Sequence, residues 1–305
     1  MTGTVIESPV PRSAVLSIAG TDSSGGAGAG ADLKTFLANG TYGMNIITAV
    51  TAQNTMGITA IQEIPPAVVR AQLDAVFMDI RPDAVKIGMV SSGELIEVIA
   101  ERLSYYHARN IVLDTVMVST SGRALLKEDA ADALVRYLLP LADMITPNIP
   151  EASVLSGVVI NNKEDMLYAA REIAGKAWHT AAGTHGREYA GCSRAVLIKG
   201  GHLAGRADDL LYGVQWDNTT EWPGKERLDW FCGEHINTQN SHGTGCTLSS
   251  AIAAYLAKGF PAAQAVGCAK EYLTGALRAG LDLGRGNGPL DHGWNLRDIK
   301  AGMTG

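Results

Sequence analysis

Ala14-VLSIAGTDSSGGAGAGADLKTFLAN-Gly40 decides how the rest of the chain is read. Ala14–Ala19 is a short apolar run ending at Gly20, a strand feeding a loop, and Asp32–Asn39 with Gly40 behind it has the pattern of a helix end. The alternation continues outward. Asn45–Ala52 is β-branched and apolar, and Pro66 opens a helix to Met78 at a first-turn position that needs no N–H. Ala84–Ile87 reads as a strand, Ser91 and Glu94 have capping-box spacing ahead of a helix to about His107, and Ile111–Leu113 is a strand ending on Asp114. A helix over about Asp129–Leu139, a strand at Met144–Thr146, a helix from Lys163 to about Trp178 and a strand at Ala195–Ile198 follow. A polar-interrupted β region over 205–236 precedes two helices, Thr244–Lys258 and Pro261–Ala279. This order predicts an α/β fold, a mostly parallel central sheet with helices on both faces, which binds ligands beyond the carboxyl ends of its strands.

The sequence has 305 residues, 46% of them apolar, enough for one large core, and one domain over 14–305 is the expectation. Residues 1–13 read as an N-terminal extension, while 177–191 and 217–229, polar and without period, read as surface insertions. With 25 basic and 31 acidic residues the chain lacks the basic excess that would neutralise phosphates along a nucleic acid. No signal-peptide pattern and no apolar run of about 18 residues is present, so a cytoplasmic protein with no membrane partner is expected. Cys192, Cys232, Cys246 and Cys268 form no CxxC pair, which argues against a zinc site and a disulfide scaffold.

Gly25–Ala31 satisfies a loose GxGxxA pattern, but six residues lie between the strand end at Ala19 and the pattern's first glycine, Gly26, and no acid lies near residue 50 to hold a ribose, so the dinucleotide reading fails. There is no GxxxxGK[ST]. What remains is a loop that lets backbone approach a ligand, with Asp22 before it and Asp32 after it. Ser241-HGTG-Cys246 precedes an apolar helical run. Small residues at a helix N-terminus form an anion site, and the same dipole is expected to lower the Cys246 thiol pKa. His242, four residues earlier, raises a Cys/His hydrolase reading that lacks an orienting third residue. Asp114, Asn148 with Glu151, and Lys199-GG-His202 follow strand ends. Each suits a cap or turn as well as a site; together they suit phosphoryl transfer beside a hydrated Mg²⁺.

The stretches Ile18–Leu37, Tyr42–Met56, Lys86–Met89, Val112–Val118, Ile145–Ala152, Ile198–Leu203 and Asn240–Ala253, in this order, closely resemble the hydroxymethylpyrimidine/phosphomethylpyrimidine kinases of thiamine biosynthesis, in the ribokinase-like superfamily. HGTGC and NxxE mark the superfamily; GTDxSGGAGxxADLKT with TAQNT marks this branch. The resemblance implies ATP-dependent phosphorylation of 4-amino-5-hydroxymethyl-2-methylpyrimidine and then of its monophosphate. By the same resemblance Asp32, Gln53, the backbone around Ala27, Val116 and Met89 hold the aminopyrimidine, Gly243, Thr244 and Gly245 form the anion hole, and Cys246 is the base where most sugar kinases have an aspartate. Lys199, Asn148 and Glu151 lie on the nucleotide side, Asp114 and Glu151 meet Mg²⁺ through water, and a homodimer and a monovalent cation requirement are further implications. Ser23 stands where the family usually has proline. The rivals are a pyridoxal or pyridoxine kinase, against which Gln53 in its TAQNT context argues, and a non-catalytic relative, against which Lys199, Glu151 and Cys246 argue.

Overall fold

A computed structural model describes residues 12–117, 128–179, 193–201, 207–215, 225–234 and 236–296. Its central sheet has eight strands in the order β10-β9-β8-β7-β6-β5-β1-β2. These are β1 Ala14–Ala19, β2 Tyr42–Ile47, β5 Ala84–Ile87, β6 Ile111–Leu113, β7 Met144–Ile145, β8 Ser193–Ile198, β9 Asp209–Gln215 and β10 Lys225–Phe231. Neighbours from β2 to β8 pair parallel, whereas β9 and β10 are antiparallel. Every residue of β1 is buried, as a central parallel strand covered on both faces requires. Its alternate side chains divide between two cores. Leu16 and Ile18 pack with α2 Pro66–Asp79, α3 Gly93–Tyr105 and α6 Lys163–Ala174; Val15 packs on the other face with α1 Gly28–Ala38, α7 Thr244–Ala257 and α8 Ala262–Arg278. No described helix is long and apolar enough to cross a membrane.

The structure departs from the sequence reading in four places. Asn45–Ala52 is not one strand: the chain leaves β2 and enters a separate two-stranded sheet, β3 Ala49–Asn54 with β4 Gly57–Glu63. Four bonds stitch this hairpin to the glycine-rich loop: Thr21 N–H to Ala49 O (2.8 Å), Thr51 N–H to Thr21 Oγ1 (3.0 Å), Thr51 Oγ1 to Thr21 O (2.7 Å) and Ser23 Oγ to Thr51 O (2.6 Å). The Ser91/Glu94 capping box does not form, because Ser91 Oγ donates to Glu63 Oε2 (2.5 Å) and the N-cap is Ser92. Residues 225–229 belong to strand β10, in keeping with the β region expected over 205–236 but against their reading as part of a surface insertion; all are half-buried or exposed. Ala177 and Trp178, placed in a surface insertion, are buried in the first core. The remainder of both expected insertions, 180–191 and 217–224, the extension up to residue 11 and His202 lie outside the described residues.

Candidate active site

The carboxyl ends of β1, β5, β6, β7 and β8 lead into Gly20, Gly88, Asp114, Thr146 and Lys199. Two glycine-bearing turns meet above them. Gly28 opens α1 at φ +56, where a Cβ would fall 2.3 Å from Gly20 O, so the loop closes back on its own strand. Gly243 caps α7 at φ 85, and a Cβ there would lie 1.9 Å from Gly26 O. No side chain caps α7. The Thr244 N–H donates to Ser241 O (3.3 Å), and the N–H groups that follow it in the first turn keep the capacity to bind an anion, with the dipole favouring negative charge.

Beneath this nest lies a charged floor. A Cβ on Gly245 would be 3.6 Å from Lys199 Nζ and 3.7 Å from Asp114 Oδ2, which puts the turn directly over that pair. Lys199 Nζ donates to Asp114 Oδ1 (3.0 Å), and Ser249 of α7 donates to Asp114 Oδ2 (3.2 Å). Burial would raise the Asp114 pKa, but Lys199 and Lys86 more than offset it and hold the carboxyl below its usual range. Asn148 and Glu151 form a true capping box on α5 Ile149–Ser156: Asn148 Oδ1 accepts from Glu151 N–H and Glu151 Oε2 from Asn148 N–H, both at 2.9 Å. Thr115 Oγ1 also reaches Glu151 Oε2 (3.2 Å). Burial pushes the Glu151 pKa up despite Lys199, and Asp114 adds to the rise.

Asp114 and Glu151 are thus two carboxylates within electrostatic reach of one another. Among the described residues no three metal-ligating side chains cluster. This donor set fits Mg²⁺, which takes one or two carboxylates plus phosphate oxygens and keeps several waters.

Two expectations are corrected here. The Cys246 thiol, in the first turn of α7, is pushed up rather than down: desolvation dominates, Asp32 and Asp114 add to it, and the lowering by Lys86 and the Gly28 N–H does not offset them. Asp32, expected against the ring, is fully buried. Its oxygens accept from Lys86 Nζ (2.9 Å each), Ser17 Oγ (2.5 Å) and Ser250 Oγ (2.7 Å), so it braces the site from below.

Gln53, on β3, brings its amide to 3.4 Å from His242 Nε2 and 3.3 Å from Thr51 Oγ1. The Ala27 N–H is taken by Asp22 Oδ2 (2.9 Å). Met89 lies under the loop, its sulfur 3.2 Å from where a Gly20 Cβ would sit, and Val116 is half-buried two residues past Asp114, to whose carbonyl its N–H donates (2.8 Å). Lys86 and Ser250 escaped the sequence reading, which singled out Asp22 only as the acid before the loop. Lys86 alone had a signal there, as a lysine inside a strand buried on both faces must have a partner.

An anion nest over a lysine–aspartate pair suits phosphoryl transfer, and the parallel sheet that carries it is that of the ribokinase-like phosphotransferases. A family model described as phosphomethylpyrimidine kinase matches residues 22–291, and the chain belongs to that family. It is 48% identical over 281 residues to a hydroxymethylpyrimidine/phosphomethylpyrimidine kinase of Rhizobium meliloti, covering 91% of this chain and 96% of that one. It is 44% identical over 294 residues to a thiamine biosynthesis bifunctional protein of Geobacter sulfurreducens, covering 96% of this chain but about half, 54%, of the relative. Among solved structures it is similar to an ADP complex of Bacillus subtilis pyridoxal kinase, at 35% identity and a TM-score of 0.77, covering 94% of this chain and 99% of that one.

Proposed function

We propose that this kinase transfers the γ-phosphoryl group of ATP to the hydroxymethyl oxygen of 4-amino-5-hydroxymethyl-2-methylpyrimidine, and then a second one to the resulting monophosphate. The observation that carries this reading is the placement of Cys246 in the turn that forms the anion nest, over Lys199 and Asp114, with the Gln53 amide adjoining the same turn through His242. Gln53 can donate to and accept from an aminopyrimidine edge. Nest and lysine take up the charge that develops on the transferring group, whose transfer depends mainly on position and charge neutralisation. In the first step the hydroxymethyl oxygen forms the new bond to phosphorus, the bond to the β-phosphate oxygen breaks, ADP leaves, and the hydroxyl proton passes to the Cys246 thiolate. Asp114 and Glu151 would hold Mg²⁺, which would supply further charge neutralisation when bound.

A groove of about 890 Å³ is lined by Trp230, Phe231, Lys270, Thr274 and Trp294, and we assign the purine and ribose to it. Lys270 Nζ bonds Asp209 Oδ2 (2.5 Å) while Asp209 Oδ1 accepts from Gly200 N–H (2.8 Å), which ties the groove to the residue after Lys199. One kinase domain over 14–305, a homodimer, a cytoplasmic location and a monovalent-cation requirement complete the proposal. The similarity to pyridoxal kinase keeps that activity as the second reading. Mass analysis of products from the hydroxymethylpyrimidine with Mg²⁺-ATP tests the proposal: monophosphate and then diphosphate esters are expected, and unchanged pyrimidine would refute it.

A further inference from the structure

His242 finds no use in the reaction as derived so far, yet it is buried where four segments meet. Its Nε2 lies 2.7 Å from Asp22 Oδ2 and 3.4 Å from the Gln53 amide nitrogen; its backbone N–H donates to Gly288 O (3.0 Å). A Cβ on Gly26 would fall 2.6 Å from its Cδ2, so the glycine-rich loop lies against the ring. Asp22 is the hub of that loop: Oδ1 accepts from Ser24 N–H (2.9 Å) and Ser24 Oγ (2.8 Å), and Oδ2 from Ala27 N–H (2.9 Å) besides His242. Burial would raise the Asp22 pKa, but these bonds hold it low, so Asp22 is a carboxylate and acts only as acceptor. The proton of this contact therefore sits on His242 Nε2 and points at Asp22. That leaves the neighbouring Gln53 NH₂ with no acceptor on the imidazole, and its hydrogen-bonding capacity stays open for a ligand.

We propose that Asp22 and His242 are a positioning pair that fixes the Gln53 amide and the glycine-rich loop against the anion nest, and thereby sets affinity for the acceptor ring rather than for ATP. The inference rests on the assignment of Gln53 to that ring. His242 immediately precedes Gly243, and Asp22 lies within the loop that Gly243 touches through Gly26 O. The pair thus joins the two halves of the site through hydrogen bonds rather than through the sheet. Without Asp22 as acceptor, the imidazole N–H turns to the Gln53 amide and occupies the group that should meet the ring.

The test is steady-state kinetics of full-length Asp22→Asn, His242→Ala and His242→Gln, with hydroxymethylpyrimidine and ATP varied separately, alongside melting temperatures. Asp22→Asn and His242→Ala are expected to raise the pyrimidine KM about tenfold or more, the cost of a misdirected buried polar group, with the ATP KM within about twofold. His242→Gln, which keeps an N–H for Asp22, should recover most of the pyrimidine KM. Parallel rises in both KM values, or a pyrimidine KM that follows melting temperature alone, would make the pair merely structural and overturn the proposal. An unchanged pyrimidine KM in all three variants of an active parent overturns the positioning role and leaves the kinase reading standing. A parent that does not phosphorylate the pyrimidine overturns both.

Discussion

Cys246 and Ser250 lie one helical turn apart on the same face of α7, and Ser250 Oγ donates to Asp32 Oδ1 (2.7 Å), the carboxylate that grips the ammonium of Lys86. The thiol therefore stands over a buried ion pair to which Ser17 of β1, Asp32 of α1, Lys86 of β5 and Ser250 of α7 all contribute. The apparatus beneath the Cys246 thiol, the proposed base, also holds the sheet to its helices.

The raised Cys246 thiol bears on the two steps unequally. A hydroxymethyl group must lose a proton as it attacks, whereas a phosphate monoester, with a second pKa near 6, already presents an anionic oxygen at neutral pH. Cys246→Ala is expected to slow the first phosphorylation by ~10²- to 10⁴-fold and the second far less, with ATP binding preserved. First-step turnover in the parent should climb from pH 7 towards alkaline pH as the thiolate forms, and Cys246→Asp should abolish that climb. Separate rate measurements on the alcohol and the monophosphate across pH decide this; equal losses in both steps would remove cysteine as the base.

Lys86→Met leaves Asp32 as an uncompensated charge with no solvent access. Breaking a buried pair in this way costs about 3–5 kcal/mol, and the denaturation midpoint should fall accordingly. Lys86→Met combined with Asp32→Asn removes both charges and should regain much of the loss. Urea unfolding of the single and double variants supplies the comparison.

Glu151→Gln separates stability from function. The Glu151 pKa is raised in the folded chain by burial, so the folded state holds its proton more tightly than the unfolded state. Stability from this group is present below the unfolded value and is lost as pH rises through the folded one. Glutamine keeps an oxygen for the Asn148 N–H, does not ionise, and should match or exceed the parent melting temperature at pH 8. It also removes a carboxylate from the proposed Mg²⁺ site, so turnover should fall and the Mg²⁺ concentration for half-maximal rate should rise. Thermal melts and Mg²⁺ titrations report the two effects independently.

Gln53→Leu removes the amide on the acceptor side while leaving the nest and Lys199 untouched. The pyrimidine KM should rise by one to two orders of magnitude, as when a buried polar partner loses its mate, and the ATP KM should stay near the parent value. Equal weakening of both substrates would place Gln53 outside the acceptor site.

The sheet was legible in the sequence because parallel strands buried on both faces write themselves as mostly apolar runs, interrupted only by Ser17 in Ala14–Ala19 and by Lys86 in Ala84–Ile87. The β3–β4 hairpin was not, because much of its length faces solvent, and β10 was legible only within a broad β region that the insertion reading of 217–229 overlapped. The nest at Gly243 and the group of Asp114, Asn148, Glu151 and Lys199 were legible as glycine and lone polar residues after strand ends. The Asp32–Lys86 pair spans 54 positions of sequence, and nothing local announces that the two carboxylate oxygens are already taken. Helix-terminus logic gave the wrong sign for Cys246, because it counts the dipole and omits desolvation and the carboxylates of Asp32 and Asp114.

Initial rates of ADP release with Mg²⁺-ATP, measured separately on hydroxymethylpyrimidine, its monophosphate and pyridoxal, decide which ring this kinase takes. Turnover on both pyrimidines well above pyridoxal is the expected result. Pyridoxal preferred, with the monophosphate inert, would contradict it and move the activity to the pyridine ring.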